Sequence, residues 1–318
     1  MVAIIVHGGC GIWLPSVETE AKAGCAEAAQ IAQRMLLEGS SALQAVIHAC
    51  VTLENNPLFN AGTGSVLNYE GIAQMDASFM DGYSAQFGAV AAIERVQNPI
   101  LVAQKIVEAT DHNILVGNGA TTFAHNNGFD EYDPRTLKRI EEYKTLIQQA
   151  TSGNLKTSRY SANHPEHAHI TGSSTTGTIG AVALDSYGHL AAATSTGGIL
   201  LKISGRVGDT ALPGSGTFAS DYGAVSSTGT GEFVMRVLGA HRACSSIDKG
   251  VHPQPAAEEA LDEIQNRFSA QTGLICTDIH GHVGIAHRTP EMPHAFAVRD
   301  STIKSYIRKN SLSFYETH

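Results

Sequence analysis

A threonine that follows a glycine at the end of a long polar segment is the first residue whose position could serve catalysis. Gly177 ends residues 151–177, which are rich in Ser, Thr, Gly, Asn and His, and Thr178 begins an apolar run. A threonine hydroxyl is protonated at neutral pH and needs a base, which its own N-terminal α-amine can provide because the pKa of that amine is about 7.7–8.0. This chemistry requires a cut before Thr178, by an N→O acyl shift and ester hydrolysis. A Gly-Thr pair alone is more typical of an ordinary half-buried strand threonine, so the interpretation depends on the motifs that follow.

Three polar motifs follow Thr178 and suit the recognition of an amino acid. Arg206 could bind a carboxylate with two parallel hydrogen bonds, and Asp209 could receive an ammonium group. Together they match the α-groups of an amino acid, although an isolated R-x-x-D pair is by default a surface ion pair. The motifs are Thr194-Ser195-Thr196-Gly197-Gly198, Gly205-Arg206-Val207-Gly208-Asp209 and Ser227-Thr228-Gly229-Thr230-Gly231-Glu232.

The third motif leads into a predicted helix, so its amides could point at one oxyanion. A phosphate nest is the alternative. Nucleotide binding is not predicted, because the chain has no G-x-x-x-x-G-K-[ST] and residues 117–119 lack the third glycine of a dinucleotide fingerprint.

Three histidines in the polar segment 151–177 are interpreted as solvated linker residues, because no H-E-x-x-H is present. They are His164, His167 and His169.

Blocks of helices and strands must position these residues. A buried strand at 2–6 runs into the glycine turn 7–11, followed by helices at 18–38 and 41–55 and antiparallel strands between 65 and 93. A helix at 99–108, a strand at 114–116, a loop or short helix to 123 and a polar helix at 136–150 come next. Hairpins at 178–184 with 190–196 and at 274–278 with 282–286 flank helices at 232–243 and 256–268. Such blocks favour antiparallel sheets covered by helices in one domain, 1–318, with Thr178 first in a core strand.

Composition excludes several classes of protein. Net charge −9, from 21 Lys+Arg and 30 Asp+Glu, gives no electrostatic case for nucleic acid or for an anionic membrane surface. The opening lacks a basic region and no apolar run approaches a membrane span, which indicates a soluble, cytoplasmic protein. Five scattered cysteines signal neither disulfides nor zinc and are expected as buried, reduced thiols.

The motifs taken together resemble the plant-type asparaginase and isoaspartyl peptidase family of N-terminal-nucleophile hydrolases, from Val2 to about Arg288. Cys10 departs from the pattern, since alanine is common at that place in the opening turn. Besides the three motifs above, the resemblance rests on His7-Gly8-Gly9-Cys10-Gly11, Pro57-Leu58-Phe59-Asn60-Ala61-Gly62-Thr63-Gly64, Met75-Asp76-Ala77 and Gly177-Thr178-Ile179-Gly180-Ala181-Val182-Ala183.

The resemblance implies an αββα sandwich whose precursor cuts itself into an α subunit, 1–177, and a β subunit, 178–318, which assemble as (αβ)₂. Thr178 matches the nucleophile and Thr196 the hydroxyl that supports it. Thr228 and Gly229 match the oxyanion hole. The substrate-binding positions that it implies are Asn60, Arg206, Val207, Gly208, Asp209, Thr228, Gly229, Thr230 and Gly231. A loop similar to the family's sodium-binding loop, with mainly backbone ligands, contains Leu53, Glu54, Asn56, Phe59, Ala61 and Thr63.

The implied substrates are asparagine and β-aspartyl dipeptides, which share an aspartyl acyl group with free α-amine and α-carboxylate. No cofactor is expected for the chemistry, and a structural sodium ion is the only ion implied. Glycosylasparaginase is the nearest alternative, but the motif associated with it is T-G-N-G-D, where this chain has residues 228–232, T-G-T-G-E. A non-cleaving relative that only binds amino acids is the alternative from another class.

Overall fold

Two β-sheets stacked face to face form the centre of the molecule, seen in a computed structural model that describes residues 1–152 and 177–308. The larger sheet has the strand order β12-β11-β1-β5-β6-β2-β3-β4, and the smaller has the order β10-β9-β8-β7. Neighbouring strands are antiparallel except β3 and β4, which are parallel. The strands are β1 (Ala3–His7), β2 (Met75–Asp81), β3 (Phe87–Ile93), β4 (Ile114–Val116), β5 (Ile179–Leu184), β6 (Leu190–Thr196), β7 (Thr217–Ala219), β8 (Gly223–Gly229), β9 (Thr272–Asp278), β10 (Val283–His287), β11 (His294–Val298) and β12 (Lys304–Tyr306).

Helices cover the outer faces of both sheets, which completes the predicted αββα sandwich. The first three helices pack on the larger sheet, and the last two pack on the smaller one. The helices are α1 (Glu18–Leu37), α2 (Ala42–Glu54), α3 (Pro99–Ala109), α4 (Gly117–Asn126), α5 (Leu137–Thr151), α6 (Gly231–Val237), α7 (Gly239–Ile247) and α8 (Pro253–Phe268). In the part of the chain that the structure describes, no helix combines the length and apolarity that crossing a membrane requires.

Alanine allows the helices to lie close to the larger sheet. The buried faces of α1 and α2 carry mostly small residues, among them Ala28, Ala32, Ala45 and Ala49, all inaccessible to solvent. Strands β5 and β6 are buried along their whole length because α2 covers one face and the smaller sheet covers the other. A strand buried on both faces carries apolar residues almost continuously, which explains the uninterrupted run after Thr178.

The structure corrects some of the sequence-based assignments. The helix predicted at 232–243 is two helices, because Leu238 adopts a left-handed conformation with φ 52° that separates α6 from α7. Thr178 lies immediately before the first residue of β5 instead of inside it. Strands β7, β8, β11 and β12 were not predicted. Most of the predicted flexible segment 151–177, with its three histidines, lies outside the described residues.

Strand β1 brings the glycine turn 7–11 next to the segment that contains Gly177 and Thr178. It pairs with β11 on one side and with β5 on the other, with His7 opposite Gly180. The glycine turn that follows β1 therefore lies beside the residues that enter β5. Two segments far apart in sequence, 7–11 and 177–180, meet in this way at one end of two central strands of the larger sheet.

Candidate active site

The hydroxyl of Thr178 contacts a second threonine hydroxyl. Thr178 Oγ1 donates to Thr196 Oγ1 over 3.2 Å, and both side chains are buried. The antiparallel pairing of β5 with β6 causes this contact, because Ile179 lies opposite Ser195, one residue from each threonine. Thr196 Oγ1 also accepts from the backbone N–H of Gly198 at 2.9 Å. The geometry can thus orient the Thr178 hydroxyl.

The peptide before Thr178 is held between two glycine-containing segments. Gly9 has φ +100°, and a β-carbon there would lie 2.5 Å from the carbonyl carbon and oxygen of Gly177. A β-carbon on Gly177 would lie 2.8 Å from Thr228 Oγ1. Neither position can carry a side chain without displacing the Gly177–Thr178 peptide or its neighbours. The structure therefore packs the predicted cleavage site tightly, with the Thr228 hydroxyl beside it.

Cys10 lies against the same peptide. Its backbone N–H donates to Thr228 Oγ1 at 3.2 Å, and burial raises the pKa of its thiol to about 12. The thiol is protonated at neutral pH, so it is no competing nucleophile. All five cysteines are free and buried, which confirms their predicted state.

Asn60 supports the turn after β6. Its side-chain N–H donates to the carbonyl of Gly198 at 2.8 Å, while its side-chain oxygen accepts from Val66 N–H at 2.9 Å. The backbone N–H of Gly197 donates to the Asn60 carbonyl. The structure brings Asn60 to the site, where its amide holds the turn that directly follows Thr196.

Arg206 presents its guanidinium fork to a carboxylate, but that carboxylate belongs to Glu232. Nε and Nη2 of Arg206 donate to the two oxygens of Glu232, each at 2.8 Å. The alternative from the sequence, an ion pair between Arg206 and Asp209, is therefore wrong. Arg206 is 15% exposed and Glu232 is 45% exposed, so the pair lies at the mouth of the site. A planar carboxylate from a substrate could replace Glu232 with the same geometry.

Asp209 is buried near Arg206 without pairing with it. One of its oxygens accepts from the Ser227 hydroxyl at 2.8 Å. Burial raises the pKa of Asp209 to about 6, although the bond from Ser227 and the charge of Arg206 lower it. A β-carbon on Gly231 would lie 2.5 Å from the other carboxylate oxygen. With a pKa of about 6, the Asp209 side chain is mostly ionised at neutral pH and could receive an ammonium.

The remaining predicted substrate-binding residues frame these two charges. Gly208 N–H donates to Asp76 at 3.0 Å, which anchors the loop between the two charges, and Val207 packs in a small apolar cluster. Gly229, with φ +122°, ends β8. The backbone N–H of Thr230 donates to the Gln271 carbonyl at 3.1 Å, so this amide is already used. The sequence predicted that the amides of this motif could all point at one oxyanion. The Thr230 amide does not, because it donates to the Gln271 carbonyl.

The loop that resembles a sodium site closes on itself beside Asn60. Thr63 N–H donates to the Glu54 carbonyl at 2.8 Å, and a β-carbon on Gly64 would lie 2.5 Å from the Pro57 carbonyl and 2.9 Å from that of Phe59. The Glu54 side chain is buried and accepts from Ser195 at 2.6 Å, and burial raises its pKa to about 8. Its carboxyl group faces the sheet, so only its backbone is available to a cation at the loop.

The other residues of this loop are held by their own contacts. The Asn56 side chain accepts from Leu58 N–H at 3.0 Å, and the Thr63 hydroxyl lies 2.9 Å from that of Tyr132. The Phe59 ring is fully buried against Trp13, and the side chains of Leu53 and Ala61 are also buried. The apolar side chains can offer a cation only their backbone carbonyls.

Sequence reasoning missed several residues near the site. Ser227 and Glu232 lie in the motif 227–232, and Asp76 lies in the motif 75–77, but no role was predicted for any of the three. Lys202 is a further buried residue that the sequence analysis did not predict, although a lysine inside the apolar run 199–203 is a signal for a buried charge. His7 is buried against Ser226 at 2.9 Å, and burial lowers its pKa to about 3, so its imidazole is neutral.

The comparisons with known proteins agree on one family. A family model described as "Asparaginase" matches residues 1–307. The chain is 42% identical over 303 residues to the plant-type L-asparaginase of Pyrococcus abyssi, which covers 93% of this chain and 96% of the relative. It is 38% identical over 301 residues to the isoaspartyl peptidase/L-asparaginase of Xenopus laevis (94% and 93% covered) and 37% identical over 314 residues to that of Mus musculus (96% and 90%).

Proposed function

Because the chain belongs to the asparaginase family, we propose that it is a hydrolase of β-aspartyl dipeptides and of the side-chain amide of asparagine. The observation that carries this function is the hydrogen bond from Thr178 to Thr196 directly beside the Gly177–Thr178 peptide. Arg206 and Asp209 lie at the same site with charges that fit an α-carboxylate and an α-ammonium. The names of its relatives include both activities.

We propose that the chain first cuts itself between Gly177 and Thr178. The Thr178 hydroxyl attacks the Gly177 carbonyl, the peptide C–N bond breaks, and the chain is left joined through an ester with a free α-amine. Water then hydrolyses the ester, which gives a Gly177 carboxylate and an N-terminal Thr178. The packing of Gly9 and Thr228 around this peptide supports the proposal, because it restricts the carbonyl to one position.

Hydrolysis of the substrate then uses the same hydroxyl. The new α-amine of Thr178 takes the hydroxyl proton while the oxygen attacks the β-carbonyl carbon of the substrate. Thr228 and Gly229 stabilise the oxyanion, and the leaving amine departs with the proton from the Thr178 amine. The β-aspartyl ester that remains is hydrolysed by water, releasing aspartate. Thr196 keeps the attacking oxygen oriented throughout.

We also propose a structural sodium ion in the loop 53–63. The carbonyls of Glu54, Pro57 and Phe59 lie close to Gly62 and Gly64, and such a donor set fits a hard cation. The ion would stiffen the loop next to Asn60 and so the turn that holds Thr196. The expected effect of sodium is a higher melting temperature, with no part in the bond-making steps.

The proposed assembly is a dimer of αβ units that acts on small molecules, with neither nucleic acid nor membrane as a partner. Support for the assembly comes from the family resemblance, and light scattering of the cleaved protein tests it. We place the protein in the cytoplasm, a proposal supported by five buried free thiols. Fractionation of cells that express the chain tests this location.

One experiment tests cleavage and hydrolysis together. The wild-type chain, Thr178→Ala and the matched control Thr302→Ala, a change at an exposed threonine, are incubated and analysed on denaturing gels and by mass spectrometry. Ammonia release from asparagine and aspartate release from a β-aspartyl dipeptide are then measured. We expect fragments 1–177 and 178–318 and both activities in the wild type and the control, and neither fragments nor activity in Thr178→Ala.

Two outcomes would contradict the proposal in different ways. A wild-type protein that remains one 318-residue band and binds asparagine without hydrolysing it would be an amino-acid-binding relative. A cleaved protein that hydrolyses only the sugar-linked amide of asparagine would be a glycosylasparaginase. Full activity of Thr178→Ala would exclude this threonine as the nucleophile.

A further inference from the structure

A buried lysine lies beside the candidate α-carboxylate site and has no part in the mechanism above. Lys202 is 1% exposed and stands in the turn between β6 and the loop that carries Arg206. Its Nζ donates to the Gln74 carbonyl at 2.5 Å. An ammonium has three N–H donors, and within residues 1–152 and 177–308 this is the only hydrogen bond that Lys202 Nζ makes. Two donors therefore remain available.

The ammonium lies next to the Arg206 guanidinium. A β-carbon on Gly198 would lie 2.8 Å from Lys202 Nζ and 3.3 Å from Arg206 Nη1, so the two nitrogens are within about 6 Å of each other. Glu232 neutralises Arg206, but among the residues that the structure describes no carboxylate oxygen comes within 4 Å of Lys202 Nζ. Two cations thus approach one glycine, and in the described part of the chain only Arg206 has a carboxylate within ion-pair distance.

Four charged groups influence the lysine. They come from β2, from the residue after β3, from the loop after β6 and from α6, and they are Asp76, Glu94, Arg206 and Glu232. Burial lowers the pKa of Lys202 to about 8; Asp76 is the largest opposing influence, and Arg206 lowers it further. The ammonium is therefore mostly charged at neutral pH. A buried charge without a close partner lowers the stability of the fold. A bound anionic ligand would offset that cost, which gives a physical reason for a lysine at this position.

We propose that Lys202 is the second positive charge of the α-carboxylate site and selects substrates that carry a free α-carboxylate. The proposal rests on the proposed function. A substrate carboxylate that displaces Glu232 from Nε and Nη2 of Arg206 places its negative charge on the guanidinium whose third nitrogen, Nη1, lies within about 6 Å of Lys202 Nζ. Lys202 is thus a specificity and positioning residue, which acts on the substrate through its charge.

The lysine has a second connection to the same loop, which a test must separate from its charge. The Gln74 side-chain oxygen accepts from Gly205 N–H at 2.8 Å, while the Gln74 backbone carbonyl holds Lys202. Removal of the lysine could therefore loosen the loop that carries Arg206. A purely structural role would weaken the hydrolysis of every substrate, whereas a role through charge depends on the α-carboxylate.

The test compares two substrates that differ only in that group. Hydrolysis of L-asparagine and of L-asparagine amide, whose α-carboxylate is replaced by a carboxamide, is measured for the wild type, Lys202→Met, Lys202→Arg and Lys249→Met. Lys249 is exposed, so its variant controls for the loss of net charge. We expect Lys202→Met to lower kcat/KM for L-asparagine on the order of ten- to fifty-fold, mainly through KM, and to change that for the amide less than about two-fold. Lys202→Arg should recover part of the loss.

The outcomes separate this proposal from the proposed function. A wild type that is inactive on L-asparagine and on β-aspartyl dipeptides overturns the proposed function, and this proposal with it. An active wild type whose substrate preference is unchanged in Lys202→Met, or a variant that loses both substrates equally, overturns the role of Lys202 alone.

A measurement on the wild-type protein covers the case in which Lys202→Met does not fold. In protein labelled with [ε-¹³C]lysine, one resonance should titrate near pH 8, and saturation with L-aspartate should raise its midpoint by about half a pH unit or more. L-isoasparagine, the α-amide of the same product, should leave the midpoint in place. A midpoint that L-aspartate does not move would overturn the proposal.

Discussion

Replacing Arg206 by lysine should impair hydrolysis and leave self-cleavage intact. Both proposed substrates present an α-carboxylate to Arg206, whereas the acyl group cut in self-cleavage is Gly177 within a chain and has no free carboxylate. The fork seen on Glu232, with two bonds of 2.8 Å, is the geometry that a substrate carboxylate would use. Lysine keeps the charge and loses the fork.

The size of the effect follows from one lost charge-assisted hydrogen bond. Such a bond contributes about 1.5–3 kcal/mol, and Arg206 is only 15% exposed, so solvent screens it little. The expected decrease in kcat/KM is roughly ten- to a hundred-fold. Arg135 provides a matched control, because its Nε and Nη2 bind the two carboxylate oxygens of Asp133 in the same way at an exposed position. Arg135→Lys should keep wild-type activity.

The assay measures ammonia release from asparagine and aspartate release from a β-aspartyl dipeptide, with the extent of cleavage read from a gel. If Arg206→Lys hydrolyses both substrates at wild-type efficiency, Arg206 does not bind the α-carboxylate. If the variant loses self-cleavage to the same extent as hydrolysis, Arg206 acts on the fold of the site instead.

Four further predictions concern the same site. Thr178→Ser should retain part of the self-cleavage, since a hydroxyl and a later α-amine remain; a completely uncut chain by mass spectrometry would contradict this. Thr196→Ala should lower kcat about ten-fold or more with little change in melting temperature, and unchanged turnover would remove Thr196 from the site. Glu232→Gln should lower KM for asparagine about two- to ten-fold, because Arg206 no longer has a competing carboxylate; a raised KM would refute that competition. Asp209 must be ionised to bind the substrate ammonium, so KM should rise as pH falls through about 6, and a KM that stays constant from pH 7 to pH 5 would exclude it as the ammonium ligand.

The same pKa predicts a separate effect on stability. The pKa of Asp209 is higher in the folded chain, about 6, than its ordinary value of 3.8, so the folded chain binds more protons between these values. By proton linkage, this carboxyl group favours folding at the acidic end of that window, and its contribution is lost as pH rises toward 6. Asp209→Asn should therefore remove a fall in the unfolding free energy between pH 4 and pH 6, measured by urea denaturation. A wild-type pH profile that persists in the variant would contradict the assignment.

The sequence determined the features that depend on neighbouring residues. Hydrophobic periodicity placed α1, α2 and the β5–β6 hairpin within a few residues of their observed bounds, because burial on one or two faces leaves a local pattern. The same pattern failed at Leu238, where one left-handed residue divides a continuous apolar period into two helices. Thr178 and Gly177 could be found because a polar segment ends abruptly where a core strand begins.

Only the tertiary structure decided which charged and polar groups meet. Arg206 and Asp209 are three positions apart, yet Arg206 pairs with Glu232 and Asp209 with Ser227. Cys10 and Thr228, 218 positions apart, meet beside Gly177 because β1 inserts between β5 and β11 while β8 lies in the facing sheet. Periodicity records whether a side chain is buried, but a hydrogen bond depends on direction and distance, which the pairing and stacking of the sheets set.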